Sequence, residues 1–168
     1  ITKTKLPSAS ISSASSMPQN VYPNNLEVNN LFNLTRDNII TLDFETYYDK
    51  DYTLSKDLNT SEYIRHELFK AHLVGVKIGD APTVWVSHKK LEKYLKSINW
   101  KNYAVLCHNT AFDGFILSHL FGIVPAFYLD TLSMSRAVFG AHVKHDLNSV
   151  AQRLGLGAKI KEALESTK

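Results

Sequence analysis

The chain predicts an α/β fold with a mixed central sheet, and three observations carry that expectation. Short apolar runs are bounded by turn residues, an early pair of runs is joined by a hairpin turn, and later runs alternate with segments of helical period. Residues 39–44 read as a buried strand, and 54–69 as a loop holding one short helix around 61–66. Residues 72–78 and 83–86 alternate as strands, and Gly79-Asp80-Ala81-Pro82 between them carries hairpin-turn chemistry. Leu91, Tyr94, Leu95 and Ile98 recur at helical spacing and predict an amphipathic helix over 89–98. A strand over 103–107 comes next. Phe112, Phe115, Ile116 and Leu120 then give a helix with one apolar stripe. Residues 125–129 make a fifth strand ending at Asp130-Thr131, followed by helices over 132–139 and 147–154. Asp146 is placed to cap the last of these and Gly155 to stop it.

The 168 residues suffice for one domain with a real core. Apolar and charged fractions of 44% and 21% are those of an ordinary globular protein. The formal net charge of +3 permits a polyanionic partner without demanding one. Cys107 is the only cysteine, which excludes an internal disulfide and favours a reducing, cytoplasmic setting. No apolar stretch approaches the roughly 20 residues of a membrane helix. Residues 1–36 differ from the rest: six serines fall within residues 8–16, and an Asn/Pro-rich stretch follows. They read as a flexible extension from which Leu31, Phe32 and Leu34 could dock, leaving 37–168 as the folded domain.

The chemistry concentrates at two strand ends. In Asp43-Phe44-Glu45-Thr46 the two acids lie two apart on a strand and share a face, while Leu42 and Phe44 turn to the packed side. In His108-Asn109-Thr110-Ala111-Phe112-Asp113 the acid falls on the first turn of a helix, with Asn109 placed as its cap. If the two strands are neighbours, the three carboxylates converge, and their repulsion is relieved by a hard divalent cation. Each motif alone is commonly only a solvated loop or a helix cap; their pairing points to a metal site. His108 reads as a hydrogen-bonded strand-end residue and Cys107 as inert core. The run from Tyr47 to Tyr52 serves either to stack on bases or to shield the sheet edge, and both readings stand at this point. Lys89, Lys90, Lys93 and Lys96 form a solvated helix face.

At these residues the sequence resembles the DEDD 3′–5′ exonucleases, whose fold is RNase H-like. Leu42-Asp43-Phe44-Glu45-Thr46 is similar to their first motif and His108-Asn109-x-x-Phe112-Asp113 to their second. Thr46-Tyr47-Tyr48-Asp49, Tyr63-Ile64-Arg65, Gly75-Val76-Lys77, Leu129-Asp130-Thr131 and Leu147-x-x-Val150-Ala151-x-x-Leu154-Gly155-Leu156 look closer still to the proofreading domain of bacteriophage family A DNA polymerases. The resemblance implies an RNase H-like mixed five-stranded sheet flanked by helices. It implies two Mg²⁺ or Mn²⁺ ions held by Asp43, Glu45 and Asp113, with Thr46, Asn109 and Phe112 lining the substrate. The implied substrate is the 3′ end of single-stranded DNA, the partner a polymerase domain or subunit, and the location the host cytoplasm. The family's third motif, a Tyr or His followed by a fourth carboxylate on a helix, does not appear before Lys168. The C-terminal catalytic helix is thus expected to be missing. His142-x-x-x-Asp146 has similar spacing but precedes the helix. The competing expectations are a non-catalytic interaction module that keeps the fold, and a stand-alone DNA or RNA exonuclease.

Overall fold

The computed structural model describes residues 33–54 and 58–157. Residues 1–32 of the expected extension, the docking of Leu31 and Phe32, and residues 158–168 lie outside the described residues, while Leu34 is exposed.

Five strands form one sheet in the order β3-β2-β1-β4-β5. β1 (Ile39–Thr46), β2 (Ala71–Ile78) and β3 (Val84–Ser87) make an antiparallel meander. β4 (Ala104–Cys107) and β5 (Phe127–Asp130) run parallel to β1 on its other side. A parallel pair needs a crossover, and the helix between β4 and β5 supplies it. The helices are α1 (Thr60–Arg65), α2 (His88–Lys96), α3 (Thr110–Phe121), α4 (Thr131–Phe139) and α5 (Leu147–Arg153). This is the mixed five-stranded sheet flanked by helices that the resemblance implies, with element boundaries within two residues of the pattern-based ones.

The core lies on one face of the sheet. Ile40, Leu42 and Phe44 of β1 turn inward beside Val74, Val76, Val86, Val105 and Cys107, and pack against Leu91, Leu95, Ile116 and Leu117. Thr41, Asp43 and Glu45 alternate to the exposed face, as period-2 geometry requires. Burial pushes the Cys107 thiol up, with the charges of Asp113, Asp43 and Asp130 acting the same way, so it is the inert core group expected.

One expectation is corrected here and one open alternative narrows. α3 does not carry a single apolar stripe: it contacts α1, α2, β1, β4 and β5, and it buries Asp113, Gly114, Ile116 and Leu117 while Leu120 is exposed. A helix enclosed on several sides is apolar most of the way round, which a one-face periodicity cannot describe. Two of the three tyrosines of the run pack inward against their own surroundings and are not offered to a base. Tyr52 is buried and stacks on Tyr63 at 4.5 Å, its hydroxyl donating to the Tyr63 carbonyl at 2.7 Å. Tyr47 is half-buried and donates to Asp49 at 2.6 Å; only Tyr48 stands in solvent.

Candidate active site

The site is set by where β1 outruns its neighbour. The ladder between β1 and β4 covers only Ile39–Thr41 against 104–106, whereas the ladder to β2 continues to Thr46. That second ladder shifts register between Glu45 and Thr46, stepping over His72, and such irregularities re-aim side chains at strand tips. Beyond Thr41 no residue of β1 pairs with β4, so a later N–H on that edge needs another acceptor. Asp113 fills that role: its Oδ1 accepts the Phe44 N–H at 3.0 Å. The first turn of α3 is thereby tied to the middle of the Asp43-Phe44-Glu45 segment.

The electrostatics follow from this geometry. Asp113 is 4% exposed, while Asp43 and Glu45 lie on the solvent face. Burial pushes the Asp113 carboxyl up to about 7, and the charges of Asp43 and Glu45 push the same way against the pull of the Phe44 N–H. The Phe44 bond sets Asp113 against the backbone between Asp43 and Glu45, so the three acids occupy one neighbourhood. They are not drawn into a closed cage: among the described residues no three His, Cys, Asp or Glu side chains form a ready metal-holding group.

The remaining predicted residues gather on two sides of the acids. The Thr46 hydroxyl shares a 3.0 Å hydrogen bond with the Tyr63 hydroxyl, which itself donates to the Tyr47 carbonyl. The half-buried Phe112 ring stands 6.0 Å from that of Tyr63. Thr46 and Phe112 are therefore held by the same aromatic cluster beside the tip of β1. Asn109 is at the N-cap of α3, but its side chain makes no capping bond, contrary to expectation. Its backbone is left-handed, with φ 86°, a conformation that Asn tolerates better than most residues.

Asp130 explains how that backbone is held, and the sequence reading missed it. Its Oδ1 accepts the N–H of Asn109 at 2.9 Å and of Leu132 at 3.1 Å, and its Oδ2 accepts the Ser133 hydroxyl at 2.7 Å. Desolvation pushes its carboxyl up, but these donors outweigh that and hold it below the usual range. The available signal was an Asp at a strand-to-helix junction, the commonest N-cap chemistry.

His108 is the hydrogen-bonded strand-end residue expected. Its Nδ1 bonds the Thr131 hydroxyl at 2.8 Å and its Nε2 the His145 carbonyl at 2.8 Å. Asp146 caps α5, accepting the Ser149 N–H at 3.0 Å and its hydroxyl at 2.6 Å, while His142 lies exposed on the preceding turn.

No family model and no curated protein sequence matches the chain. Solved structures do. Brucella melitensis NrnC with bound Mg²⁺ is similar with a TM-score of 0.55 and 17% identity, over 74% of this chain and 56% of that one. The same protein bound to pGG gives 0.55 and 20% over 74% and 55%. The apo form of a nuclease gives 0.53 and 19% over 78% and 57%. The chain thus spans little more than half the length of these structures. At this identity the likeness is one of architecture: the chain has the RNase H-like exonuclease fold, with its acidic cluster at the end of the strand that outruns its parallel neighbour.

Proposed function

We propose that this chain is a metal-dependent 3′–5′ exonuclease domain that hydrolyses the terminal phosphodiester of a single-stranded nucleic acid. One observation carries the reading: a buried carboxyl, Asp113, bonds the backbone between Asp43 and Glu45 at the tip of β1, in a fold shared with solved nucleases. The donor chemistry fits Mg²⁺ or Mn²⁺, since all three groups are hard oxygen ligands whose repulsion a cation relieves. Bound as a pair, such ions supply an activated water and steady the leaving 3′ oxygen. Asp43 and Glu45 would offer ligands from the open face of β1, and Asp113 one from the first turn of α3. Thr46 and Phe112 border the terminal nucleotide from the aromatic cluster, and Asn109 borders it from the entry to α3. Nucleoside 5′-monophosphates are the product.

The finer assignment is a proofreading domain of a phage-type DNA polymerase. The motifs flanking the acids support it, and it makes the substrate a DNA 3′ end, the partner a polymerase domain or subunit, and the location the host cytoplasm. A stand-alone DNA or RNA exonuclease is the second reading, favoured by the fold shared with NrnC, whose pGG-bound form is among the similar structures.

The test is incubation of end-labelled single-stranded DNA and RNA with Mn²⁺ or Mg²⁺, alongside Asp43→Ala. Stepwise shortening from the 3′ end, lost in the variant, is expected; shortening of DNA alone favours proofreading. Intact substrate, with no Asp43-dependent Mn²⁺ binding by calorimetry, would leave a non-catalytic module.

A further inference from the structure

An exposed tryptophan shares the open sheet face with the acids. Trp85 on β3 is 62% exposed, although large aromatic side chains are usually well covered. The strand registers place it directly. Asp43 of β1 is opposite Gly75 of β2, and Gly75 is opposite Trp85 of β3. Residues opposite one another in a ladder project to the same face, so Asp43, Gly75 and Trp85 form one row across three strands. Two strand spacings separate the ends of that row, about 10 Å. Gly75 is what opens it. A Cβ at Gly75 would come within 2.9 Å of Trp85 Cζ3 and 3.3 Å of Cη2, so the benzo half of the indole rests over the glycine, on the path toward Asp43. Lys77, two residues along β2 and opposite Thr41, adds a cation to the same face.

On the nuclease reading above, we infer that Trp85 is a stacking platform for a base of the single strand whose 3′ end lies at Asp43, Glu45 and Asp113. The chemistry favours this occupant. An exposed indole offers a face to any base without reading its identity, and the acids that bind the terminus fix how far away the next bases lie. Lys77 is positioned to meet the phosphate between them. Trp85 acts on binding and on positioning of the strand, and it touches no reacting bond.

The two tryptophans make the inference measurable. Trp100 is 5% exposed and its Nε1 donates to the Leu95 carbonyl at 2.7 Å, so only Trp85 is open to a ligand. The experiment titrates the chain with oligothymidylate in EDTA, reading tryptophan emission, and compares Trp85→Leu, Trp85→Tyr and Gly75→Val. Circular dichroism checks the fold, and cleavage in Mn²⁺ is followed separately. Quenching of the exposed component is expected in the parent chain. By anisotropy of a labelled oligomer, Trp85→Leu should bind about 10-fold more weakly, the scale of one base stack, and Trp85→Tyr should recover most of the loss. Gly75→Val, which keeps the indole but displaces it, should also weaken binding.

Equal affinity in folded parent and Trp85→Leu chains would overturn the platform and reduce Trp85 to cover for the edge strand, whether or not cleavage occurs. Trp85-dependent binding without any cleavage would sustain the platform and remove the exonuclease reading instead. Capture of a protein partner by this face, with no oligonucleotide binding, would overturn the inference outright.

Discussion

Replacing Asp113 by Asn separates what the buried acid does for function from what it does to stability. A carboxyl whose titration moves from 3.8 to about 7 on folding costs about 4 kcal/mol to keep ionised in the native state. The sign follows from proton counting. Between those two values the folded state holds a proton that the unfolded state has released. Stability is therefore greatest below pH 4, declines as pH rises toward 7, and is flat above. Asparagine keeps an oxygen to accept the Phe44 N–H, bonded at 3.0 Å in the parent, but cannot ionise. Asp113→Asn should match the parent near pH 4 and exceed it at pH 8 by up to about 4 kcal/mol in the absence of metal. Urea unfolding at both pH values in EDTA, followed by far-ultraviolet circular dichroism, measures the gap. A variant less stable than the parent at pH 8, or a gap that does not change with pH, would refute the reasoning. Saturating Mn²⁺ should stabilise the parent by about 2.7 kcal/mol at a hundredfold excess over Kd, and Asp113→Asn, left with two of the three carboxylates, by less at the same concentration. Asp113→Ala also orphans the Phe44 N–H, and should be less stable than the Asn variant by about 1–3 kcal/mol.

Other perturbations read different parts of the same construction. Asn109→Ala puts a Cβ-bearing residue without Asn's tolerance at φ 86°, and should cost about 1 kcal/mol by thermal unfolding, while Asn109→Gly should cost little or stabilise. Gly114→Ala brings a methyl within 2.9 Å of Tyr128 Cε1, and overpacking of that kind should destabilise by about 1–3 kcal/mol, measured in urea. Cys107, 2% exposed and with its thiol pushed up by burial, should react with a thiol reagent only at the rate of unfolding; fast labelling of native protein would contradict the buried placement of β4.

What could be read from the sequence divides along physical lines. The strands were legible because each is a short apolar run closed by turn or capping residues, and the shared face of Asp43 and Glu45 followed from strand period alone. The enclosure of α3 was not, because burial on several sides erases the one-face signal that periodicity detects. Nor was the state of Asn109, since a left-handed backbone leaves no mark beyond a residue type that also suits ordinary caps. The reach of Asp130 to Asn109 and of Trp85 to Gly75 was illegible for a common reason. What matters about each is a partner across the sheet, Asn109 for one and Gly75 for the other, and cross-strand register is a property of pairing.

The same reasoning accounts for why a carboxyl is buried at this point at all. β1 has eight residues, but its parallel neighbour β4 has four, so the Phe44 N–H would otherwise be orphaned inside the protein. An amide or hydroxyl could accept that bond at no electrostatic cost. The chain instead places an ionisable acid there, next to two more, at the end of a left-handed entry to α3 that Asp130 bonds. On the proposed function the choice has a reason: an acid whose ionisation costs stability in the metal-free fold suits a site kept for binding a cation. The stability deficit and the cation affinity are then two readings of one repulsion, and the Asp113→Asn comparison with and without Mn²⁺ measures both.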